Sequence, residues 1–390
     1  MYKINILNKI SDKGLARFNG GYAFTDDIDS AQAVLVRSHD MKEMEFSEDL
    51  ISIARAGAGV NNIPTDRCAD QGIVVFNTPG ANANAVKELA LSGILLAARN
   101  LPEALEWAKT LDKDIAKEVE KGKERFAGTE IKGKNLGIIG LGFIGVIVAN
   151  AAERLGMKVI GYDPFINVKA AHELSSNIPI VRVLGEMLPE CDYISIHVPA
   201  MESTKGMIGK KEFSRMKKGV CFLNFSRDNL VNDVELIAAI EAGIVKKYIT
   251  DFPNDKLKGN DKIICLPHLG ASTTEAEELC SIMAAEQTMD YLENGNITNS
   301  VNYPTCHMVP MVNSQAAFRV CILNKNKAGM LTQITGVFAR MKVNISDMVN
   351  KSKGDFAYTV LDVDSEVDYV ELERELMGIE GVIRIRILKK

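Results

Sequence analysis

The sequence predicts an α/β protein whose main body is a doubly wound parallel sheet and whose last part is a separate small domain of order βαββαβ. Three observations carry that reading. Short apolar runs alternate with helical segments, a glycine motif sits between a strand and a helix, and the strand and helix patterns restart after an irregular Asn- and Pro-rich stretch. At 390 residues the chain is too long for one ordinary core, so two or three domains are expected.

The first apolar runs, Ile4 to Leu7, Ala33 to Val36 and Ile73 to Phe76, are short and set between polar or helical segments, which is α/β texture. AVKELALSGILLAA from Ala85 to Ala98 has helical periodicity and strong helix formers, and leads to a further helical stretch from Trp107 to Val119. A second domain begins near Ile131. There NLGIIG reads as a buried strand, FIGVIVANAAERLG as an amphipathic helix and KVIGYD as the next strand, a βαβ unit. Further strands are expected at Tyr193 to Val198, Val220 to Phe225, Tyr248 to Asp251 and Ile263 to Leu266, spaced by helices such as DVELIAAIEAG. A helix from Ser272 to Leu292 precedes NGNITNSVNYPTCHMVPMVNSQ, which lacks periodicity and reads as a linker. The tail then runs AFRVCIL (strand), Gly329 to Met341 (helix), VNISDMVN and FAYTVLDV (strands), EVDYVELERELM (helix) and VIRIRIL (strand).

Composition narrows the class. Hydrophobic residues make up 46% and charged residues 25%, the values of soluble globular proteins. A net charge of -5 gives no global attraction to nucleic acid or to anionic lipid, so neither is expected as a partner. The cysteines are 7 in number, scattered and without a C-x-x-C pair, which argues against a disulfide scaffold or a zinc site; no metal is expected. MYKINILNKI lacks the apolar run of a signal peptide, and no stretch approaches the length of a membrane span, so a cytoplasmic location is expected.

Gly140, Gly142 and Gly145 form GLGFIG, with Phe143 and Ile144 between the last two. The first glycine permits a tight turn, the second lets backbone approach a pyrophosphate, and the third allows close helix packing. Alone the motif is weak; here an apolar strand precedes it, a helix follows, and Asp163 ends the next strand about twenty residues on. The helix N-terminus offers free N–H groups to the pyrophosphate, and Asp163 can accept from ribose hydroxyls. The expected cofactor is NAD, because a carboxylate there repels a 2'-phosphate and no arginine stands beside it. This is a Rossmann-type cofactor domain.

Motifs along most of the chain resemble the D-2-hydroxyacid dehydrogenase family. They are VRS at Val36 to Ser38, RAGAGVNNI from Arg55, NTPGAN from Asn77, FAGTEIKGKNLGIIGLGFIG from Phe126, ISIHVP from Ile194, LNFSRDN from Leu223 and PHLGAST from Pro267, in the family's order. The resemblance implies a discontinuous, flavodoxin-like substrate domain over residues 1–97 plus 285–304, an NAD-binding domain over 98–284, a linker over 305–315, and an ACT domain of ferredoxin-like order over 316–390. It also implies a homodimer or homotetramer. Family members with such a tail act on a phosphorylated 2-hydroxy acid and bind L-serine, the product of their pathway.

Oxidising a secondary alcohol needs a base for the hydroxyl proton, a cation for the carboxylate, and alignment with the nicotinamide. By resemblance the base is His268 in PHLG and the carboxylate-gripping cation is Arg227 in NFSRDN, whose guanidinium fork suits a planar carboxylate. The family's third catalytic member is a glutamate that hydrogen-bonds the histidine. DFPNDKLK is one residue short there, so Asp255 is the candidate, with Lys256 or Lys258 as cations that would enter the site instead. His197, Val198, Pro199 and Asp251 are implied at the cofactor. Arg37, Ser38, Ala58, Gly59, Val60 and Asn82 are implied at the substrate, with Arg37 first in line for the phosphate. Lys121, Lys123 and Arg125 stand where related enzymes reach toward a partner subunit. Phe143 replaces a polar or basic residue common at its position, so that pyrophosphate contact is lost, and SRDN replaces a run of small residues. In the last domain Asn324, Asn326 and Asn344 match effector-binding positions, though many relatives have His where this chain has Asn324.

Overall fold

A computed structural model describes residues 1–389 as two compact units, Met1–Ala81 with the chain from Glu277 onward, and Asn82–Ala276. The boundary expected at 97/98 falls inside the helix Ala83–Arg99, and that at 284/285 inside the helix Thr274–Asn294. The units instead divide at or near the heads of these helices. Ala90, Ile94 and Ala97 of the first bury in the second unit's core, whereas Cys280, Ala284, Tyr291 and Leu292 of the second bury in the first unit's core.

In the first unit, β1 (Tyr2–Leu7), β2 (Tyr22–Thr25), β3 (Ala33–Val36), β4 (Ser52–Arg55) and β5 (Val74–Phe76) form a parallel sheet in the order β2-β1-β3-β4-β5. The second and fourth strands, YAFT and SIAR, are too mixed with polar residues to stand out in the sequence. The second unit holds a seven-stranded parallel sheet of β6 (Asn135–Ile139), β7 (Lys158–Tyr162), β8 (Ile180–Val181), β9 (Tyr193–Ile196), β10 (Val220–Asn224), β11 (Val245–Thr250) and β12 (Ile263–Cys265), in the order β12-β11-β10-β9-β6-β7-β8. The single helical stretch expected from Trp107 to Val119 is two helices, Leu101–Lys109 and Ile115–Gly122. They are broken where Asp114 takes a left-handed φ of 49°.

The last domain contributes β13 (Phe318–Lys325), β14 (Ile345–Lys353), β15 (Phe356–Val363) and β16 (Val382–Lys389), antiparallel in the order β14-β15-β13-β16. Alternate residues of β13 face two cores. Phe318, Val320 and Ile322 meet the domain's own helices Met330–Arg340 and Tyr369–Met377, while Cys321 and Leu323 join the core under the first sheet. That double burial explains the apolar run from Val320 to Leu323. On the same face as Cys321, the guanidinium of Arg319 is fully buried. Its Nε and Nη2 donate to the two oxygens of Asp362 at 2.6 and 2.9 Å, and its remaining donors reach the carbonyls of Asn294 at 2.8 Å and Val309 at 2.7 Å. Arg386 caps the carbonyls of Tyr291 and Leu292 near the end of the Thr274–Asn294 helix, where a cation complements the helix dipole.

The segment expected as linker does not run free. Ile297 and Cys306 form a β-bridge, Tyr303, Cys306 and Met308 are buried, and the Tyr303 hydroxyl donates to the carbonyl of Ala69 at 2.7 Å. Its apolar residues are spaced too irregularly to show periodicity, yet Ile297, Tyr303, Cys306, Met308 and Met311 are buried. No helix among the described residues is long and apolar enough to cross a membrane.

Candidate active site

Because every strand of the seven-stranded sheet is parallel, the carboxyl ends share one edge. In spatial order β12, β11, β10, β9, β6 and β7, the residues beyond those ends are His268, Asp251, Arg227, His197–Pro199, Gly140–Gly145 and Asp163. Strand order reverses between β9 and β6. Ligands of open α/β sheets bind beside such a reversal.

The glycine loop is built for a phosphate. Gly140 has φ +93°, and a Cβ there would stand 2.8 Å from the carbonyl oxygen of His197. A Cβ on Gly145 would fall 1.9 Å from the carbonyl oxygen of Gly140, so only glycine lets the helix Phe143–Arg154 start this close to β6. At Gly142, by contrast, nothing lies within 4 Å of the added carbon. The approach to the helix N-terminus is open, and a dinucleotide pyrophosphate fits it. Phe143, exposed, and Ile144 begin that helix. Asp163 accepts backbone N–H groups from Leu141 and Phe165, both at 2.8 Å, one on each oxygen. The carboxylate is thereby fixed beside the loop, with a second lone pair on each oxygen left for a hydroxyl donor. At β9, His197 bonds Ser195 Oγ at 2.9 Å, and burial pushes its pKa down to about 4. That imidazole stays neutral at physiological pH and is unsuited to exchange protons there.

Arg227 is half-buried on a loop held by Asn224, whose side chain donates to the carbonyl of Arg227 at 2.8 Å and accepts the N–H of Ser226 at 3.1 Å. Ser226 Oγ in turn donates to Ile196 of the neighbouring strand at 2.8 Å. Neither Asn224 nor Ser226 was marked as functional by the sequence, although both stand within the motif that carries Arg227. His268 takes a left-handed φ of 40°, lies exposed, and packs against the ring of Phe252 at 4.8 Å. Its N–H donates to the carbonyl of Asp251 at 2.9 Å, and the N–H of Gly270 donates to Asp251 Oδ2 at 2.8 Å. Burial raises the Asp251 pKa, while the Gly270 N–H and the charges of His268 and Arg227 oppose that rise. Three neighbouring strand ends thus place a cation, a carboxylate and an imidazole within one electrostatic cluster.

Asp255 is not part of that cluster. It is exposed on a turn where Asn254 accepts the N–H groups of Lys256 and Leu257, and no hydrogen bond or ion pair joins it to His268 among the described residues. With Lys258 it lines a cavity of about 1230 Å³ beside Trp107 and Phe126. The shortened loop curls toward the Leu101–Lys109 helix, which is why a candidate chosen by counting residues does not meet the histidine. Lys121 and Lys123 pair with Glu118 and Glu120, and Arg125 stacks over Trp107 at 4.5 Å.

Of the residues implied at the substrate, Asn82 heads the Ala83–Arg99 helix in the second unit, with its side chain making no capping bond. The others lie in the first unit, at the carboxyl ends of neighbouring strands: Arg37 and Ser38 beyond β3, and Ala58, Gly59 and Val60 beyond β4. Asn77 Nδ2 holds the carbonyl of Ala58 at 2.6 Å, and Glu277 pairs with Arg37 at 2.8 Å.

Residues 91–270 match the D-isomer specific 2-hydroxyacid dehydrogenase NAD binding domain, and residues 321–384 match the AHAS small subunit-like ACT domain. The chain belongs to the D-2-hydroxyacid dehydrogenases, NAD-dependent oxidoreductases, and carries an ACT domain. It is 31% identical over 372 residues to the D-3-phosphoglycerate dehydrogenase of Haemophilus influenzae, covering 90% of this chain and 85% of that one. It is 34% identical over 308 residues to the D-3-phosphoglycerate dehydrogenase of Methanocaldococcus jannaschii, where the match covers 77% of this chain and 54%, about half, of the relative's length. Among solved structures, NAD+-bound 3-phosphoglycerate dehydrogenase of Entamoeba histolytica aligns at a TM-score of 0.62 and 28% identity, covering 77% of this chain and 98% of that one. A glyoxylate/hydroxypyruvate reductase of Sinorhizobium meliloti aligns at 0.66 and 20% identity over 77% of this chain and 98% of its own, and shares the fold.

Proposed function

We propose that this chain oxidises 3-phosphoglycerate to 3-phosphohydroxypyruvate with NAD, as a step of L-serine biosynthesis. The observation that carries the reading is the cluster of Arg227, Asp251 and His268 on adjacent strand ends, beside a glycine loop open to a pyrophosphate. NAD, when bound, supplies the hydride acceptor. Arg227 holds the substrate carboxylate, and His268 takes the hydroxyl proton during oxidation and returns it during reduction. Ala58, Gly59 and Val60 supply backbone groups to the carboxylate, and Arg37 takes the phosphate by exchanging Glu277 for it. Purified protein offered NAD or NADP with a panel of 2-hydroxy acids tests the assignment. Phosphoglycerate is expected to show the highest kcat/KM, and a preference for glycerate, glyoxylate or lactate would replace it.

The carboxylate of Asp163 carries the cofactor preference. Wild-type protein is expected to favour NAD over NADP, and Asp163→Ala to narrow that ratio, because the repulsion of a 2'-phosphate is removed. Steady-state kinetics with both cofactors checks this, and equal wild-type use of the two would cancel the assignment.

The ACT domain is proposed to bind L-serine between two copies. Asn324 and Asn326 lie at one end of β13, and the side chain of Asn326 donates to Gly354 in the turn after β14. Asn344 precedes β14 at the sheet's other end, roughly 30 Å away at ~3.4 Å per residue. It donates to Asp364 at 2.8 Å. One copy therefore cannot close all three amides on one amino acid. Two copies paired antiparallel along the β14 edge bring Asn344 of one to Asn326 of the other. Serine must then favour a less active arrangement, since equal affinity for both states shifts nothing. L-serine is expected to inhibit and Asn344→Ala to relieve the inhibition. No serine binding by calorimetry, with unchanged activity at millimolar serine, would reduce the domain to an assembly module.

A further inference from the structure

We propose that Asn8 and Asn62 are positioning residues for the substrate phosphate, their side-chain amides fixing the loop that carries Arg37. This rests on reading Arg37 as the cation that takes the phosphate, and both asparagines act through that loop. The ladder between β1 and β3 ends at the pair Leu7 and Val36, so from Arg37 onward the chain has no strand neighbour to hold its backbone. Asn8 supplies the missing acceptor. It takes a left-handed φ of 76°, a turn that asparagine adopts more readily than most side chains. Its Oδ1 then accepts the N–H groups of Ser38 at 3.2 Å and His39 at 2.5 Å. An amide oxygen has two lone pairs, enough for both donors.

Asn62 grips the same loop from the other side. It follows Val60 on the loop after β4, and its Nδ2 donates to the carbonyl of His39 at 2.7 Å while its own carbonyl accepts the N–H of Met41 at 2.8 Å. The loop that carries Arg37 and the loop that carries Ala58, Gly59 and Val60 are thereby tied to each other. Asn77 secures the second loop in turn, donating to the carbonyl of Ala58 at 2.6 Å and accepting from Gln287 at 3.1 Å. Ser38, His39 and Asp40 are exposed, so little packing holds this stretch and its hydrogen bonds decide where it lies. The Arg37 guanidinium is held separately, by Glu277 at 2.8 Å, and a phosphate that takes the place of Glu277 breaks that contact. What then fixes Arg37 is its backbone, and the two amides hold the backbone.

The test compares the intact wild-type protein with Asn8→Gly, Asn8→Asp and Asn62→Ala on phosphoglycerate and on glycerate, which differ only in the phosphate. Asn8→Gly keeps the left-handed turn and removes the acceptor, so no backbone strain is added. It is expected to raise KM for phosphoglycerate about tenfold with kcat within about twofold, and to change kcat/KM for glycerate by less than about twofold. Asn62→Ala should act in the same direction. Asn8→Asp keeps both the turn and the acceptor, and its added charge is screened over about 8 Å at physiological ionic strength, so it should recover most of the affinity. A merely structural role would lower both substrates together. An equal loss on the two substrates, no loss in either Asn8→Gly or Asn62→Ala, or a loss in Asn8→Asp as large as in Asn8→Gly overturns the proposal while the functional reading stands. A wild-type protein without preference for phosphoglycerate over glycerate fails the functional reading, and the proposal falls with it.

Discussion

His268→Ala is expected to lower kcat/KM for hydroxy-acid oxidation on the order of a hundredfold or more, a loss of about 2.7 kcal/mol of transition-state stabilisation or greater. The proton leaves the substrate hydroxyl as the hydride leaves carbon, and among the groups gathered on this sheet edge His268 is the imidazole that lies exposed. His197 cannot substitute, since burial holds it neutral down to a pKa of about 4. Arg227→Ala should cost a similar factor. Arg227→Lys should recover little of it, because an ammonium cannot make the paired contacts of the guanidinium fork. Affinity for NAD measured by calorimetry should stay within a few fold of wild type in both variants, since neither residue belongs to the glycine loop. Should Lys256→Ala prove crippling while His268→Ala is mild, the base lies on the shortened loop instead.

Arg319→Ala is expected to destabilise the first unit by about 3–5 kcal/mol, the usual result of removing one partner of a buried ion pair. The substitution leaves Asp362 in the core with Ser314 as its remaining side-chain donor, and it frees the carbonyls of Asn294 and Val309 that the guanidinium now holds. Replacing both partners together, as Arg319→Met with Asp362→Leu, should cost far less, because no unmatched charge stays behind. Chemical denaturation followed by circular dichroism compares the variants. A lower midpoint at unchanged slope is the expected signature, and an Arg319→Ala protein within about 1 kcal/mol of wild type would show that water reaches this site on relaxation. Cys321, Leu323, Tyr358 and Val360 of the ACT sheet share one core with the first sheet, so stability lost there should appear in the whole unit.

What the sequence determined by itself were features whose physics is local. A glycine demanded by a positive φ at Gly140, a carboxylate ending the second strand of a βαβ unit, and apolar runs with period two or near three and a half are set by neighbours in the chain, and they announced the NAD domain and the βαββαβ tail. Tertiary structure decided the rest. Asp255 was chosen by counting along a loop, but the direction of a loop is set by what it packs on, and here it turns away from His268. Asn344 lies at the opposite end of the sheet from Asn324 and Asn326, since strand register fixes distances that sequence spacing does not. The linker looked irregular because its core residues answer to a surface contributed by distant elements, and such contacts leave no period in the chain.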